Sequence, residues 1–157
     1  MQQRRINVLG VGISAITLDA AVAAVRQALA EGRQGYVTVT GVHGVSECQS
    51  DHELRRIHNE SFLSTPDGMP LTWLGRLQGL GPAQMDRVYG PDLMLRVFAD
   101  GVDSAEGRPP LRHFFYGGRD GVAEMLREKL VEKFPAAEIV GTYTPPFRPL
   151  TTDEEHS

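Results

Sequence analysis

Apolar positions along this chain alternate between short solid runs and longer stretches at helical spacing. INVLGV (6–11) is short, apolar and β-branched, which predicts a buried strand. In TLDAAVAAVRQALAEG, Leu18, Val22, Val25 and Leu29 recur at helical intervals, with Thr17 as N-cap and Gly32 as the stop. YVTVT (36–40) predicts a second strand, and DHELRRIHN (51–59) belongs to a polar-faced helix expected to begin near His43. SFLST (61–65) predicts a third strand, ended by Pro66, and the apolar run MPLTWLG after it is mildly helical and expected in the core, Trp73 included. Pro91 suits the first turn of a helix PDLMLRVFADG. HFFYGG (113–118) is a strand running into glycines. DGVAEMLREKLVEKF then places Val122, Met125, Leu126, Leu130 and Phe134 on one stripe, and AEIVGTY (137–143) is a final strand.

Strands separated by helices of this length imply parallel βαβ units. The expected fold is therefore α/β, a Rossmann-like parallel sheet flanked by helices, in a single domain over 1–157. GVDSAEGRPPLR is the most linker-like stretch and reads as a surface loop. The end of the chain carries two overlapping capping boxes, Thr151 with Glu154 and Thr152 with Glu155. A capping box announces a helix, yet the sequence stops two residues after Glu155. The expectation is a C-terminally truncated domain, which a longer relative would complete.

Composition narrows the class. Apolar residues make up 41% and charged residues 23%, ordinary for a globular protein. Sixteen Lys and Arg against twenty Asp and Glu leave a net charge of −4, which gives no global footprint for nucleic acid. Cys48 is the lone cysteine, so no disulfide framework or cysteine metal cluster forms and a reducing, cytoplasmic compartment fits. MQQRRINVLG starts with charges but continues into no long apolar region, so neither a signal peptide nor a membrane span is expected. Any membrane contact would be peripheral, from the cytoplasmic surface.

Several stretches could carry chemistry. GVGISA (10–15) has the outline of a dinucleotide fingerprint, but the second strand ends TVTGVH with no acid to grip a ribose. A tight strand-to-helix turn is the alternative. YGGRDG (116–121) is a second glycine-rich turn into a helix, where Gly117 and Gly118 could offer backbone N–H groups to phosphate or could serve the turn alone. Thr38, Thr40 and His43 gather at the end of the second strand, and Asp67 lies just past the third. Crevices in open parallel sheets lie beyond these carboxyl ends. Arg87, in a polar connection before a helix, could join them and supply a phosphate counter-charge. From spacing alone Asp67 is either a general base or the side chain that closes an Asx-type turn at Pro66-Asp67-Gly68. No P-loop, nucleophile elbow, H-E-x-x-H or D-x-D is present, and His43, His52, His58, His113 and His156 show no ligand spacing. No metal and no cofactor is expected.

TPDGMPLTWLGRLQG, RVYGPDLM, FFYGGRDGVAEMLREKL and IVGTYTPPFRPLTTDEE, taken in this order and spacing, resemble successive motifs of the WecG/TagA/CpsF glycosyltransferases, from about residue 5 to the end. The resemblance implies transfer of a sugar, often N-acetylmannosamine or its uronic acid, from a UDP-sugar to a lipid-linked acceptor. It implies work at the cytoplasmic face of the bacterial membrane in surface-polysaccharide assembly, on a Rossmann-like fold without a metal-binding D-x-D. It makes Asp67 the catalytic base and Arg87, in the R-V-x-G motif, a contact for the donor diphosphate. The family's strand-end Thr-x-Asn corresponds here to TVTGVH, where Thr40 is the equivalent hydroxyl, Thr38 is the reserve, and the asparagine has no counterpart. Family members continue into a Gly-x-Pro-x-Gln-Glu motif and a membrane-reaching appendage that this sequence lacks. In a homo-oligomer an adjacent chain could complete the fold of such a truncated transferase. Two competing expectations remain: a non-catalytic fragment that binds nucleotide or merely folds, and an NAD-dependent oxidoreductase resting on GVGISA alone.

Overall fold

A computed structural model describes residues 3–102 and 110–146. The chain divides into two compact units between Val97 and Phe98. The capping boxes at Thr151–Glu155 and most of the GVDSAEGRPPLR loop lie outside the described residues.

In the first unit the alternation of buried and exposed positions at Ile6, Asn7 and Val8, and again at Val11 and Ile13, builds a hairpin. Strand β1 (Arg5–Val8) pairs antiparallel with β2 (Val11–Ser14) across a two-residue loop. The single strand expected over 6–11 is therefore two strands, and GVGISA is a hairpin turn and its return strand. Leu9 (φ 52) and Gly10 (φ 86) both take positive φ, the geometry of the primed turn that matches strand twist. Asn7 Oδ1 accepts the Gly10 N–H at 2.9 Å. This turn leads into a strand and not into a helix, which removes the dinucleotide fingerprint.

Helix α1 (Leu18–Ala30) follows with Thr17 as N-cap, its hydroxyl accepting from the Ala20 N–H. Leu18, Val22 and Val25 pack inward as expected, while Leu29 in the last turn is exposed. Strand β3 (Val37–Thr40) pairs parallel with β4 (Leu63–Pro66), in register Thr38 with Ser64 and Thr40 with Pro66. The helical segment between them is broken in two, α2 (Val42–Glu47) and α3 (His52–Glu60). Asp51 caps α3 by accepting the Leu54 N–H at 2.9 Å, and its extended backbone cannot continue α2. Arg5 runs under the end of α3 and donates to the carbonyls of His58, Asn59, Ser61 and Phe62.

Strand β4 is buried along its whole length. On its other side the Ser14 hydroxyl accepts the Ser64 N–H at 3.0 Å, so β2 lies against it. The hairpin packs Ile6, Val8, Val11 and Ile13 against Val45 of α2 and Cys48 at its C-cap, Leu71 of α4 (Met69–Leu77), Leu80 and Met85. Burial pushes the Cys48 thiol up, away from the reactive thiolate. A second cluster joins Ile16, Ala21, Val22, Leu63, Val88 and Leu93. Helix α4 corrects the core reading of MPLTWLG. Leu71, Thr72 and Gly75 are buried, but Trp73 is 54% exposed and Leu77 more so, because the apolar residues exceed one helix face.

Helix α5 (Gly90–Val102) runs through the division between the units. Beyond α5, the described residues of the second unit form a βαβ motif, β5 (Arg112–Tyr116), α6 (Val122–Lys133) and β6 (Glu138–Tyr143), with the strands parallel. Phe98 is its buried centre, with the His113 ring stacked 3.7 Å away and Phe115 and Phe134 around it. The inward stripe of α6 holds Ala123, Leu126, Leu130 and Phe134, whereas Val122 and Met125 are exposed. Ala123 replaces Val122 because at 100° per residue it shares the face of Leu126 and Leu130.

Candidate active site

The first-unit residues that the sequence singles out, Thr38, Thr40, His43, Asp67 and Arg87, lie at or near the carboxyl ends of β3 and β4. The backbone there is fixed before any side chain is considered. The Asp67 N–H donates to the Thr40 carbonyl at 2.8 Å, carrying the ladder one residue past Pro66. Gly68 then holds φ 115 and ψ 150, a combination essentially confined to glycine, and α4 starts at Met69. Pro66, Asp67 and Gly68 thus lock the turn through backbone geometry. Among the described residues the Asp67 carboxylate accepts no backbone N–H, so it does not close an Asx turn. Its recorded partner is Arg87, whose Nε lies 4.0 Å from Asp67 Oδ1.

Arg87 is brought there by a latched segment. The Asp86 N–H donates to the Ile16 carbonyl at 3.2 Å, and the Val88 N–H to the Pro66 carbonyl at 2.8 Å. Val88 is fully buried, and a side chain placed on Gly90 would come within 3.3 Å of Val39 on β3. Residues 86–90 therefore lie tight against the ends of both parallel strands. The Asp67 side chain is 30% exposed and that of Arg87 46%. An ion pair this long and this wet contributes at most about 1 kcal/mol to folding. Both charges remain available for chemistry. The Arg87 guanidinium also lies over the Tyr89 ring, 4.6 Å from its centroid.

The threonines behave differently from a pair of open hydroxyls. Thr40 is 1% exposed, and its Oγ1 lies 2.9 Å from Ser64 Oγ and 3.2 Å from Thr38 Oγ1. Thr65 Oγ1 donates to the Thr38 carbonyl at 3.3 Å. This hydroxyl chain stitches β3 to β4 beneath the turn that carries Asp67. Thr38 is half-buried in it. His43 sits in the first turn of α2, largely exposed, with Nε2 3.3 Å from Glu47 Oε1. Gly117 and Gly118 belong to the second unit, in the turn from β5 to α6. The Gly117 N–H already donates to the Tyr143 carbonyl at 2.9 Å, so it is not free for phosphate. Two residues of the neighbourhood, Tyr89 and Ser64, went unassigned in the sequence. The alternation Arg87-Val88-Tyr89 was the available signal, since it puts both outer side chains beside one buried valine.

An exposed carboxylate and a guanidinium side by side at the mouth of parallel strands suit transfer of a group from a phosphorylated donor. The guanidinium offers a planar fork to phosphate, and the carboxylate can take a proton. A model of the Glycosyl transferase WecG/TagA/CpsF family matches residues 6–157. The chain belongs to the WecG/TagA/CpsF glycosyltransferase family. A search of curated proteins found no match. As a family glycosyltransferase it acts on a sugar donor and an acceptor, and both βαβ pairings of the parallel strands agree with a Rossmann-like fold. Among the described residues no group of three or more His, Cys, Asp or Glu is arranged to hold a metal ion. No described helix is long and apolar enough to cross a membrane.

Proposed function

We propose that this glycosyltransferase moves an N-acetylmannosamine-type sugar from a UDP-sugar to a lipid-linked saccharide acceptor, such as one carried on undecaprenyl diphosphate, with Asp67 as general base. The observation that carries the reading is the Asp67–Arg87 pair, 4.0 Å apart and open to solvent at the carboxyl ends of β3 and β4. The acceptor hydroxyl loses its proton to the Asp67 carboxylate as its oxygen bonds to C1 of the sugar. The C1–O bond to UDP breaks in the same step, and the diphosphate leaves with the bonding pair, its growing charge facing the Arg87 guanidinium. Displacement in a single step inverts the anomeric centre. The product belongs to bacterial surface-polysaccharide or teichoic acid assembly, made by an enzyme resting on the inner face of the membrane.

Within this reading Thr38 and His43, in the same unit as Asp67 and Arg87, are donor contacts. Thr40 supports the site from within the sheet, because its hydroxyl is already bonded to Ser64. The test is a transfer assay with UDP-N-acetylmannosamine and a lipid-linked amino-sugar acceptor, read as acceptor-dependent UDP release and as the anomeric configuration of the product. Inverted product supports the reading. Acceptor-independent hydrolysis alone, or retained configuration, contradicts it.

A further inference from the structure

We propose that Tyr89 is a positioning residue: its ring holds the Arg87 guanidinium in front of Asp67 and keeps it from closing onto that carboxylate. The proposal rests on the reading of Arg87 as the contact for the donor diphosphate.

Arginine is long and rotamer-rich, and 46% of this side chain is exposed. Left alone it would sample many conformers, and the carboxylate its side chain already faces is Asp67; that of Asp86 accepts the Arg87 backbone N–H. A relaxed guanidinium–carboxylate pair closes to about 2.7–2.9 Å, often through two parallel hydrogen bonds. Here the separation is 4.0 Å, and the contact that Arg87 does make closely is the face of Tyr89, 4.6 Å from ring centroid to Cζ. A cation over an aromatic face is attracted by the ring quadrupole, a contact that uses none of the guanidinium's N–H groups as conventional hydrogen-bond donors.

The ring can do this because its own backbone is pinned on both sides. Val88, immediately before it, is fully buried and bonded to the Pro66 carbonyl. The Tyr89 carbonyl accepts the Leu93 N–H at 2.9 Å and starts α5, and Gly90 fits closely against Val39. Tyr89 itself is 39% exposed, more than a core role would need. The same strand ends therefore fix Asp67 through its backbone and Arg87 through its neighbour's ring. A tightly paired Asp67 would be a poor base, and a tightly paired Arg87 would have no edge left for phosphate.

The experiment is a double-mutant cycle on UDP binding by calorimetry, using Tyr89→Ala, Arg87→Ala, the double variant and Tyr89→Phe in the full chain. Tyr89→Ala is expected to weaken UDP about 2- to 5-fold, the range of a half-exposed cation–π contact. Tyr89→Phe, which keeps the ring, restores the affinity. In the Arg87→Ala background Tyr89→Ala has no further effect, because Tyr89 acts through Arg87. A Tyr89→Ala effect of equal size in both backgrounds, or none while Arg87→Ala weakens UDP, overturns the positioning role and leaves the reading of Arg87 standing. If Arg87→Ala itself leaves UDP binding unchanged, or the unaltered chain does not bind UDP, both fall together. The ring is half-exposed and leaves no buried cavity, and an unchanged melting transition in each variant confirms that folding is not what is being read.

Discussion

Replacing Gly68 by alanine tests whether the backbone holds Asp67 in place. At φ 115 and ψ 150 a Cβ is strained whatever the surrounding space. The space itself is adequate, since the added carbon would sit 3.7 Å from Pro70 Cδ, an ordinary contact. The cost is thus conformational, about 1–3 kcal/mol for a residue held in a sparsely populated region. Against it stands about 0.4–1 kcal/mol gained because alanine restricts the unfolded chain. A net loss of roughly 1–2 kcal/mol should appear in urea unfolding, and roughly 2–8 °C in melting temperature at this chain length. Activity should fall by more than stability does, because the cheapest relief of strain is to rotate the Asp67–Gly68 peptide and move the carboxylate. The assay pairs urea denaturation with turnover measured well below the melting transition. An alanine variant with unchanged midpoint and unchanged turnover would refute the claim that glycine fixes this turn.

Other outcomes follow from the same structure. Trp73 is the sole tryptophan and 54% exposed, so its emission should be strongly quenched by iodide, and Trp73→Ala should cost under about 1 kcal/mol, against about 3–5 for a buried tryptophan. Burial against Phe98 lowers the His113 pKa below its ordinary 6.5, so the folded second unit disfavours the protonated ring. The stability it contributes is complete above the unfolded pKa and is lost as pH falls from about 6.5 through the lower folded value; melts at about pH 7.5 and about pH 5 should show a fall that His113→Phe reduces. Transfer should survive excess EDTA, because the sequence offers no D-x-D; a rate that collapses and returns with Mg²⁺ or Mn²⁺ would contradict this.

Much of the fold was legible because the relevant forces are local. Thr17 before an apolar period, Pro91 at a helix start and β-branched runs at 36–40 and 137–143 each carry their own signal, and the strands and helices formed there. The hairpin was not legible, because Leu9 is apolar and hid a primed turn inside what read as one buried run. The break between α2 and α3 depended on the Asp51 cap winning over helix continuation. Burial was the least legible property. Trp73, Val122 and Met125 are exposed because each lies off the face that its helix packs, and the true face uses small residues, Gly75 and Ala123. At the site, Asp67 and Arg87 were singled out by residue type and strand-end position, and they do meet. That Thr40 is buried in a hydroxyl chain with Ser64 depended on the register of β3 against β4, which only the folded pairing supplies.

The central claim is that Asp67 takes the proton from the acceptor, and Asp67→Asn measures it most directly. Asparagine keeps the size of the side chain and the Asp67 N–H bond to the Thr40 carbonyl, so folding and UDP affinity should stay as they were. Turnover with the lipid-linked acceptor should drop by about 10²-fold or more, the scale of a lost acid–base group. A variant that binds UDP normally and turns over at the original rate would contradict the account.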